Sequence, residues 1–523
     1  MNQPANQFRT SRRTLIGAAS ALAAAGSIAR LHTGFAQDAA PVRGGSLTMA
    51  VVGPITSLDP FSSKLGSGDG ISYLAIYNTL VGITRSGEIV PELAREWTIS
   101  DDGLTYTFTL NEGVTFHDGT SLDAAAVVAN FDRYMAEGST FPGTNKLEPI
   151  ASIEATDATT VTITLSAPNA PFLAAMSNVQ IASPTAVESL GEDFALNPVG
   201  SGPFKLESWE PGSTATYVRN ENYWQQGDDG QPLPYLDKFI IEGVPDDSVR
   251  LLNLRSGTFD INERVEPRDR AQLEADSSLQ LIDYASVTTY QLALNVTAAP
   301  FDNQPLRQAV AAAIDRDAII QNISFGTGYT IALPFPRDAW FSIEGPTAEY
   351  NLDTVAAKLE EAGYPDGADI KLSIINRPID NQIAQIVKAQ LDAANIRTEI
   401  EVLERTTWVD LWNARGGQLG ILQRGSSSND PDDQSAWFDT ENIANFAGYD
   451  SQPIRDLIAQ ANETTDQEER KAYWQQIAEI VVEDAVYIFI GAVPVVGAMK
   501  AGVQGVSLSG GATVDIGKAW MQE

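Results

Sequence analysis

Polar and apolar residues alternate with period two in Thr105-Tyr106-Thr107-Phe108-Thr109-Leu110 and again in Val161-Thr162-Ile163-Thr164-Leu165. Alternation of this kind predicts two half-buried strands. Between them, Thr120 and Asp123 have the spacing of a capping box ahead of an apolar stretch, which predicts a helix through about Tyr134. Leu306, Ala309, Val310, Ala313 and Ile314 recur at helical intervals, with Pro305 at a first-turn position. The pattern is most legible from Lys371 to Arg424. Leu372 to Ile375 is a short apolar run, Ile383, Ile386, Val387 and Leu391 share one helical face, and Ile396, Ile400 and Val402 resume as a strand. Strand, helix, strand at this length is a βαβ unit, whose crossover is expected to be right-handed.

That unit gives Arg377 a distinctive address. Asn376-Arg377-Pro378 falls just past the carboxyl end of a strand and just before a helix N-terminus. Open α/β sheets bind ligands along such edges, and helix N-termini favour anions. A further strand, Leu419 to Gln423, leads into Arg424-Gly425-Ser426-Ser427-Ser428-Asn429-Asp430-Pro431-Asp432-Asp433, a second polar loop expected to face the same crevice. Strands and helices are mixed throughout, without repeats or low-complexity tracts. The class is α/β, and the length suggests about three compact units.

The amino terminus changes the setting. Ser11-Arg12-Arg13-Thr14-Leu15-Ile16 precedes an apolar stretch to Ala29, followed by Arg30, His32 and the small-residue exit Gly34-Phe35-Ala36. This is the order of an export signal, and the paired arginines predict the twin-arginine route, although Leu15 and Gly17 stand where that route usually shows Phe and Lys. The mature chain is expected to begin near Gln37 and to reach the periplasm. Removing residues 1–36 removes four arginines and no acids, so 34 basic and 68 acidic residues become 30 and 68, and the net charge moves from −34 to −38. Such a polyanion repels phosphate backbones and anionic lipid, which argues against nucleic acid and membrane surfaces as partners.

Cysteine is absent, which excludes disulfides, thiol catalysis, thiolate metal sites and a lipid-modified cysteine anchor. Of the two histidines, His32 leaves with the signal. His117 alone remains, in the turn Phe116-His117-Asp118-Gly119, where a structural role is expected. No histidine-rich zinc site can be assembled, so neither a metal nor a cofactor is expected.

Several short motifs then occur in a fixed order: Gly44-Gly45-Ser46-Leu47 with Leu58-Asp59-Pro60; Pro91-Glu92-Leu93-Ala94 with Trp97; Phe116-His117-Asp118-Gly119; Asn197-Pro198-Val199-Gly200-Ser201-Gly202-Pro203-Phe204; Asn220-Glu221-Asn222-Tyr223-Trp224; and Asn295 with Arg307-Gln308-Ala309-Val310. Across nearly the whole mature chain this order resembles the periplasmic solute-binding proteins of the dipeptide/oligopeptide/nickel class (family 5), which feed ABC importers. The resemblance implies a bilobed periplasmic-binding-protein fold: two mixed α/β lobes joined by hinge strands, with an extra subdomain on the first. Lobe I would comprise 43–75, 196–290 and 495–523, its subdomain 76–195, and lobe II 291–494. It also implies a monomer that closes on a peptide-like or acidic small molecule and delivers it to an inner-membrane permease and ATPase complex, without chemistry of its own. Most of the motifs are expected to be scaffold, with Gly200, Gly202 and Pro203 setting a turn.

The resemblance also assigns site residues. Dipeptide binders of the class carry an Arg-Pro after this strand, and its guanidinium grips the ligand's carboxylate; Arg377-Pro378 stands in that register. They also hold the ligand's ammonium with an aspartate three residues before an Asp-Pro pair. Counting back from Asp430-Pro431 gives Ser427, a neutral group. The expected ligand is therefore anionic at Arg377 and neutral-polar near Ser426, Ser427 and Ser428: a modified peptide, a glutathione-like compound, an opine conjugate or an acidic oligosaccharide. Trp408 matches a position that often carries a cleft tryptophan and fits a core position equally well. Asp430, Arg424, Tyr290, Trp340 and Trp437 complete the candidate set.

Two other readings compete. A secreted glycosidase needs only two carboxylates, and 68 acidic residues offer many pairs without a signature that singles one out. A metal-chelate carrier is the other, with Asp430, Asp432 and Asp433 as oxygen ligands for a hard cation but without the interval of a known loop.

Overall fold

Ten strands share one sheet. In chain order they are β1 (Ser46–Val51), β2 (Phe204–Trp209), β3 (Thr214–Arg219), β4 (Lys238–Gly243), β5 (Ile261–Asn262), β6 (Leu279–Leu294), β7 (Ala368–Ile375), β8 (Ile396–Leu403), β9 (Leu419–Ser426) and β10 (Tyr487–Lys500). Across the sheet they lie in the order β8-β7-β9-β6-β10-β5-β1-β4-β3-β2. The computed structural model describes residues 40–522 apart from 63–66, 85, 142, 346, 427–429, 443 and 509–512. The export segment, with Arg12 and Arg13, lies outside the described residues, as do Ser427 and Ser428.

The long strands β6 and β10 run antiparallel through the middle of the sheet. One end of their ladder pairs Leu279 with Lys500, and the other pairs Ala293 with Tyr487. Between these ends the register jumps from Asp283↔Val496 to Val287↔Pro494, so three residues of β6 stand opposite the single residue Val495. Proline lacks an amide hydrogen and is tolerated where a ladder is interrupted, and a bulge bends the strand that carries it. The sheet is thereby divided into two halves that share only these two strands. On one side β1 runs parallel to β4 and β5; on the other β7 runs parallel to β8 and, briefly, β9.

The expected βαβ unit is β7, the helix Pro378–Ala393 and β8. Ile383, Val387 and Leu391 are fully buried beneath it, and Ile386 packs at the margin of the same cluster. Val402 is exposed, because β8 is the edge strand. The alternating segments are strands of a separate four-stranded antiparallel sheet, ordered Ala94–Ile99, Thr105–Leu110, Thr160–Leu165, Ile150–Ala155. Tyr106, Phe108, Val161 and Ile163 point into a core with Phe131 and Tyr134 of the helix Ala124–Met135. Each such side chain contributes about 2 kcal/mol of burial. Distinct clusters form around Met49, Phe239 and Ile241, around Leu306, Val310 and Leu372, and around Trp412, Trp437 and Trp474.

One local expectation is corrected. The cap of the helix Ala124–Met135 is Asp123, whose carboxylate accepts the amide of Ala126 at 2.9 Å. Thr120 instead donates its hydroxyl to Asp118. Gly200 borders and Gly202 lies in the expected bend, at 201–203, and neither has a positive φ. Their role is close approach: a Cβ on Gly200 would lie 2.1 Å from the carbonyl oxygen of Ile76, and one on Gly202 would lie 2.5 Å from its carbonyl carbon. The amide of Gly202 donates to that same carbonyl at 2.8 Å. His117 completes the junction, its amide donating to Gly200 and its Nε2 to the carbonyl of Gly202 at 3.0 Å. Burial depresses this imidazole to about 4.

Replacing Gly200 with Ala forces two backbone segments apart. We expect a loss of about 3 kcal/mol in urea denaturation; a variant as stable as the parent would contradict the packing. The unfolded imidazole of His117 takes up its proton near pH 6.5 and the folded one only near 4. Stability therefore falls as pH drops through that window, by about 2 kcal/mol at pH 5. Urea titrations at pH 7 and pH 5 should show His117→Gln losing this component of the pH dependence.

Candidate ligand-binding site

The strand β7 ends at Ile375 and the next helix begins at Pro378. Arg377 therefore sits at the N-cap with extended backbone (φ −126°, ψ 143°) and gives no side-chain cap. Its guanidinium folds over the first helical turn onto Asp380. Nε and Nη2 both donate to Oδ2, at 2.9 and 2.7 Å. The Asp380 side chain is fully buried, Arg377 is about one-third exposed, and Oδ1 of Asp380 has no hydrogen-bond partner. Burial raises the Asp380 carboxyl above the ordinary range, against the opposing pull of Arg377. One edge of the guanidinium is thus clamped, and its Nη1/Nη2 end stays available to an anion.

Tyr290 of β6 is where both halves of the sheet meet this arginine. It is buried, which pushes its hydroxyl up to about 12, and the charges acting on it are Arg264, Asp380, Glu266 and Arg377. Arg264 and Glu266 follow β5 in the first half; Arg377 and Asp380 belong to the second. Ser426 ends β9 opposite Val287, immediately beside the break in the β6–β10 ladder. The loop that leaves Ser426 therefore starts at the bend of the sheet.

The remaining candidates hold the second half together. Arg424 lies with its guanidinium carbon 5.3 Å from the ring centre of Trp437, and burial lowers its pKa. Trp437 packs against Tyr487 and Phe489 and is itself buried. Asp430 caps the short helix Pro431–Trp437 and accepts both ends of the Arg470 fork at 2.7 and 2.8 Å, both side chains being buried. Arg470 lies in turn 5.3 Å from the ring centre of Trp340. Trp408 is core: its ring stacks on Trp412 at 5.5 Å and its N–H donates to the carbonyl of Ser373 at 3.0 Å. The charges of Arg377, Asp380, Arg264 and Glu266 thus act together on Tyr290, while Asp430 pairs with Arg470, Trp340 lies against Arg470 and Trp408 packs on Trp412.

The three aspartates of the 430 loop do not converge as a cation site. Asp430 is taken by Arg470, Asp432 accepts from Asn462 at 2.9 Å, and Asp433 pairs with Lys146 at 2.9 Å. This last bond and the backbone bond from Ala170 to Asn462, 2.8 Å, tie the segment after the helix Ala124–Met135 to the second half. Asp380 could have been read from its position three residues after Arg377. Arg264, Glu266 and Lys146 carry no local signal, because tertiary packing alone brings them near.

Comparison with known proteins gives a consistent picture. The model of the family described as bacterial extracellular solute-binding proteins, family 5 (middle), matches residues 88–446. A glutathione-binding protein, GsiB, from Escherichia coli O1:K1 is 29% identical over 459 residues, covering 84% of this chain and 88% of its own. The periplasmic binding protein DppA from Helicobacter pylori, solved with the peptide STSA, superposes with a TM-score of 0.76 at 28% identity, over 92% of this chain and 99% of that one. AgaA from A. tumefacien R10, solved with agropinic acid, gives 0.75 at 25% identity, over 92% and 99%.

Replacing Asp430 with Ala leaves the Arg470 guanidinium buried and unpaired. We expect a loss of about 3–5 kcal/mol in urea denaturation; an unaffected variant would show that the pair does not hold the 430 loop.

Proposed function

The chain belongs to the bacterial extracellular solute-binding proteins of family 5, and on that premise we propose that it captures a small acidic, peptide-like solute between its two lobes. Its fold is the bilobed α/β fold of periplasmic binding proteins, and it acts as the substrate-binding component of an ABC importer. Members of this family bind and hand over; they are not enzymes. Among the described residues no helix is long and apolar enough to cross a membrane. A periplasmic location is in keeping with the export pattern of residues 11–36, in which Arg12-Arg13 alone speaks for the twin-arginine route.

The lobe boundaries proposed are 43–75, 196–290 and 495–523 for lobe I, 76–195 for its subdomain and 291–494 for lobe II. The bulge in β6 between Asp283 and Val287 and the separate apolar clusters support that division. Ligand contacts made only in the closed form shift the open–closed equilibrium, which is all that signalling to a permease requires. The permease and its ATPase are the partners this role calls for, with the protein acting as a monomer.

The observation that carries the ligand reading is Arg377 itself, clamped along one edge by Asp380 and open at the other, beside Tyr290. A guanidinium end presented in this way suits a carboxylate. The 426–428 serines bring no charge to answer a ligand ammonium, which favours ligands whose amine is masked or distant. Relatives named for glutathione and agropinic acid have this character. Calorimetry with glutathione tests the reading. Micromolar binding by the parent is expected to weaken at least tenfold, about 1.4 kcal/mol, in Arg377→Ala. A parent that binds plain dipeptides as tightly, or an unaffected variant, would refute it. Quantitative recovery of intact ligand after long incubation separates transport from glycosidase chemistry.

A further inference from the structure

A cavity of about 770 Å³ lies in the first half of the molecule, away from the crevice at Arg377. Its walls come from the first helix after β1, from the strands Val81–Ile83 and Ile89–Pro91 and residue 92, from Phe141, Gly143 and Lys146, from residues 175–180, and from Ser507, Leu508 and residues within 513–518. Among the described residues none of those lining it lies between 291 and 494, the span proposed for lobe II. Ile83, Val90, Phe141 and Val179 give it an apolar side, and Glu92 and Asp515 give it two carboxylates.

Glu92 stands in the Pro91-Glu92-Leu93-Ala94 motif that sequence alone reads as scaffold. Oε1 accepts from Asn78 at 2.8 Å and Oε2 from Thr79 at 2.6 Å. The Thr79 amide is a third donor, and since two carboxylate oxygens offer about four acceptor positions, about one stays open. Burial raises the Glu92 carboxyl, the hydrogen bonds from the Thr79 hydroxyl, Asn78 and the Thr79 amide oppose the rise, and the charge of Asp515 adds to it. Lys146, at one end of the cavity, is spoken for by Asp433. The exposed Lys518 also lines the cavity, and Asp515 accepts from the Ser507 hydroxyl and the Gly517 amide. The chamber combines an apolar wall with the Glu92 and Asp515 carboxylates, which repel each other across it. A guest cation would relieve that repulsion and fill the acceptor sites that protein donors leave open.

We propose that this cavity is a second binding site, for a small organic ammonium ion whose nitrogen rests against Glu92 and Asp515 and whose apolar body lies along Ile83, Val90, Phe141 and Val179. The site is independent of the ligand crevice, since no residue is shared between them.

The experiment titrates the mature chain with 2-phenylethylammonium by calorimetry, using glutathione as the probe of the crevice. Saturable one-to-one binding of the ammonium is expected. Glu92→Gln should weaken it at least tenfold, and Arg377→Ala should leave it unchanged. Leu508→Trp, which places a large ring in the cavity lining, should weaken it to the same extent and decides the question if Glu92→Gln does not fold. No saturable binding by the parent, equal affinity in folded Glu92→Gln or Leu508→Trp, or loss of binding in Arg377→Ala would each overturn the proposal. Failure of glutathione to bind, with the ammonium result intact, would affect only the crevice reading.

Discussion

Everything in this protein hangs on two strands that cross from one half to the other. β6 and β10 carry the sheet through its centre, and a backbone ladder is stiff in its plane because every residue adds a directional hydrogen bond. That stiffness is broken at two places: Tyr284 to Ser286 have no one-to-one partners beside Pro494, which has no amide to give, and the register shifts again between Tyr290 and Gln291. Bending is therefore cheapest along the line across the sheet that these interruptions mark. Tyr290 and the end of β9 at Ser426 lie close to that line. The interruptions thus sit beside the groups proposed to meet a ligand.

Around this hinge the acidic surplus of the chain is handled in two ways. Most carboxylates stay exposed and solvate the surface, where paired charges contribute little. A few are taken inside, and there each is matched. Asp430 meets the fork of Arg470, and Asp59 meets Arg133 at 2.6 Å. Asp380 is the asymmetric case, with one oxygen shared by two arginine nitrogens and the other without a partner. Such an arrangement is costly in a core, and it occurs at the sheet edge where a ligand-facing role for the guanidinium is proposed. Glu92, half-buried at the wall of the lobe I cavity, also keeps some acceptor capacity.

Much of the fold could be read from local pattern. The period-two runs around Phe108 and Ile163, the helix beginning beside Pro305 and the strand–helix–strand from Ala368 to Leu403 all follow from spacing, because one buried face per element dictates which positions are apolar. The address of Arg377 was legible for the same reason. What misled was chemistry that depends on distant chain. Thr120 fits a cap, but Asp118 was closer to its hydroxyl. Gly200 borders and Gly202 lies in the expected bend, but the backbone of Ile76 passing against them is not legible in the sequence. Trp408 fits cleft and core equally in the sequence, and it is buried beside Trp412 and Ser373.

The sequence by itself determined the class of fold, the family, the absence of thiol and histidine-rich metal chemistry, and the position of one arginine at a sheet edge. These depend on residue type and short-range periodicity, which the linear chain states outright. Only tertiary structure decided that Arg264 and Glu266 act on the same phenol as Arg377, that Asp430 belongs to Arg470, and that Glu92 faces a chamber. Each of those facts sets side chains from separate segments within a few ångströms of one another, and hydrogen bonds and desolvation act at that range, whatever the distance along the chain.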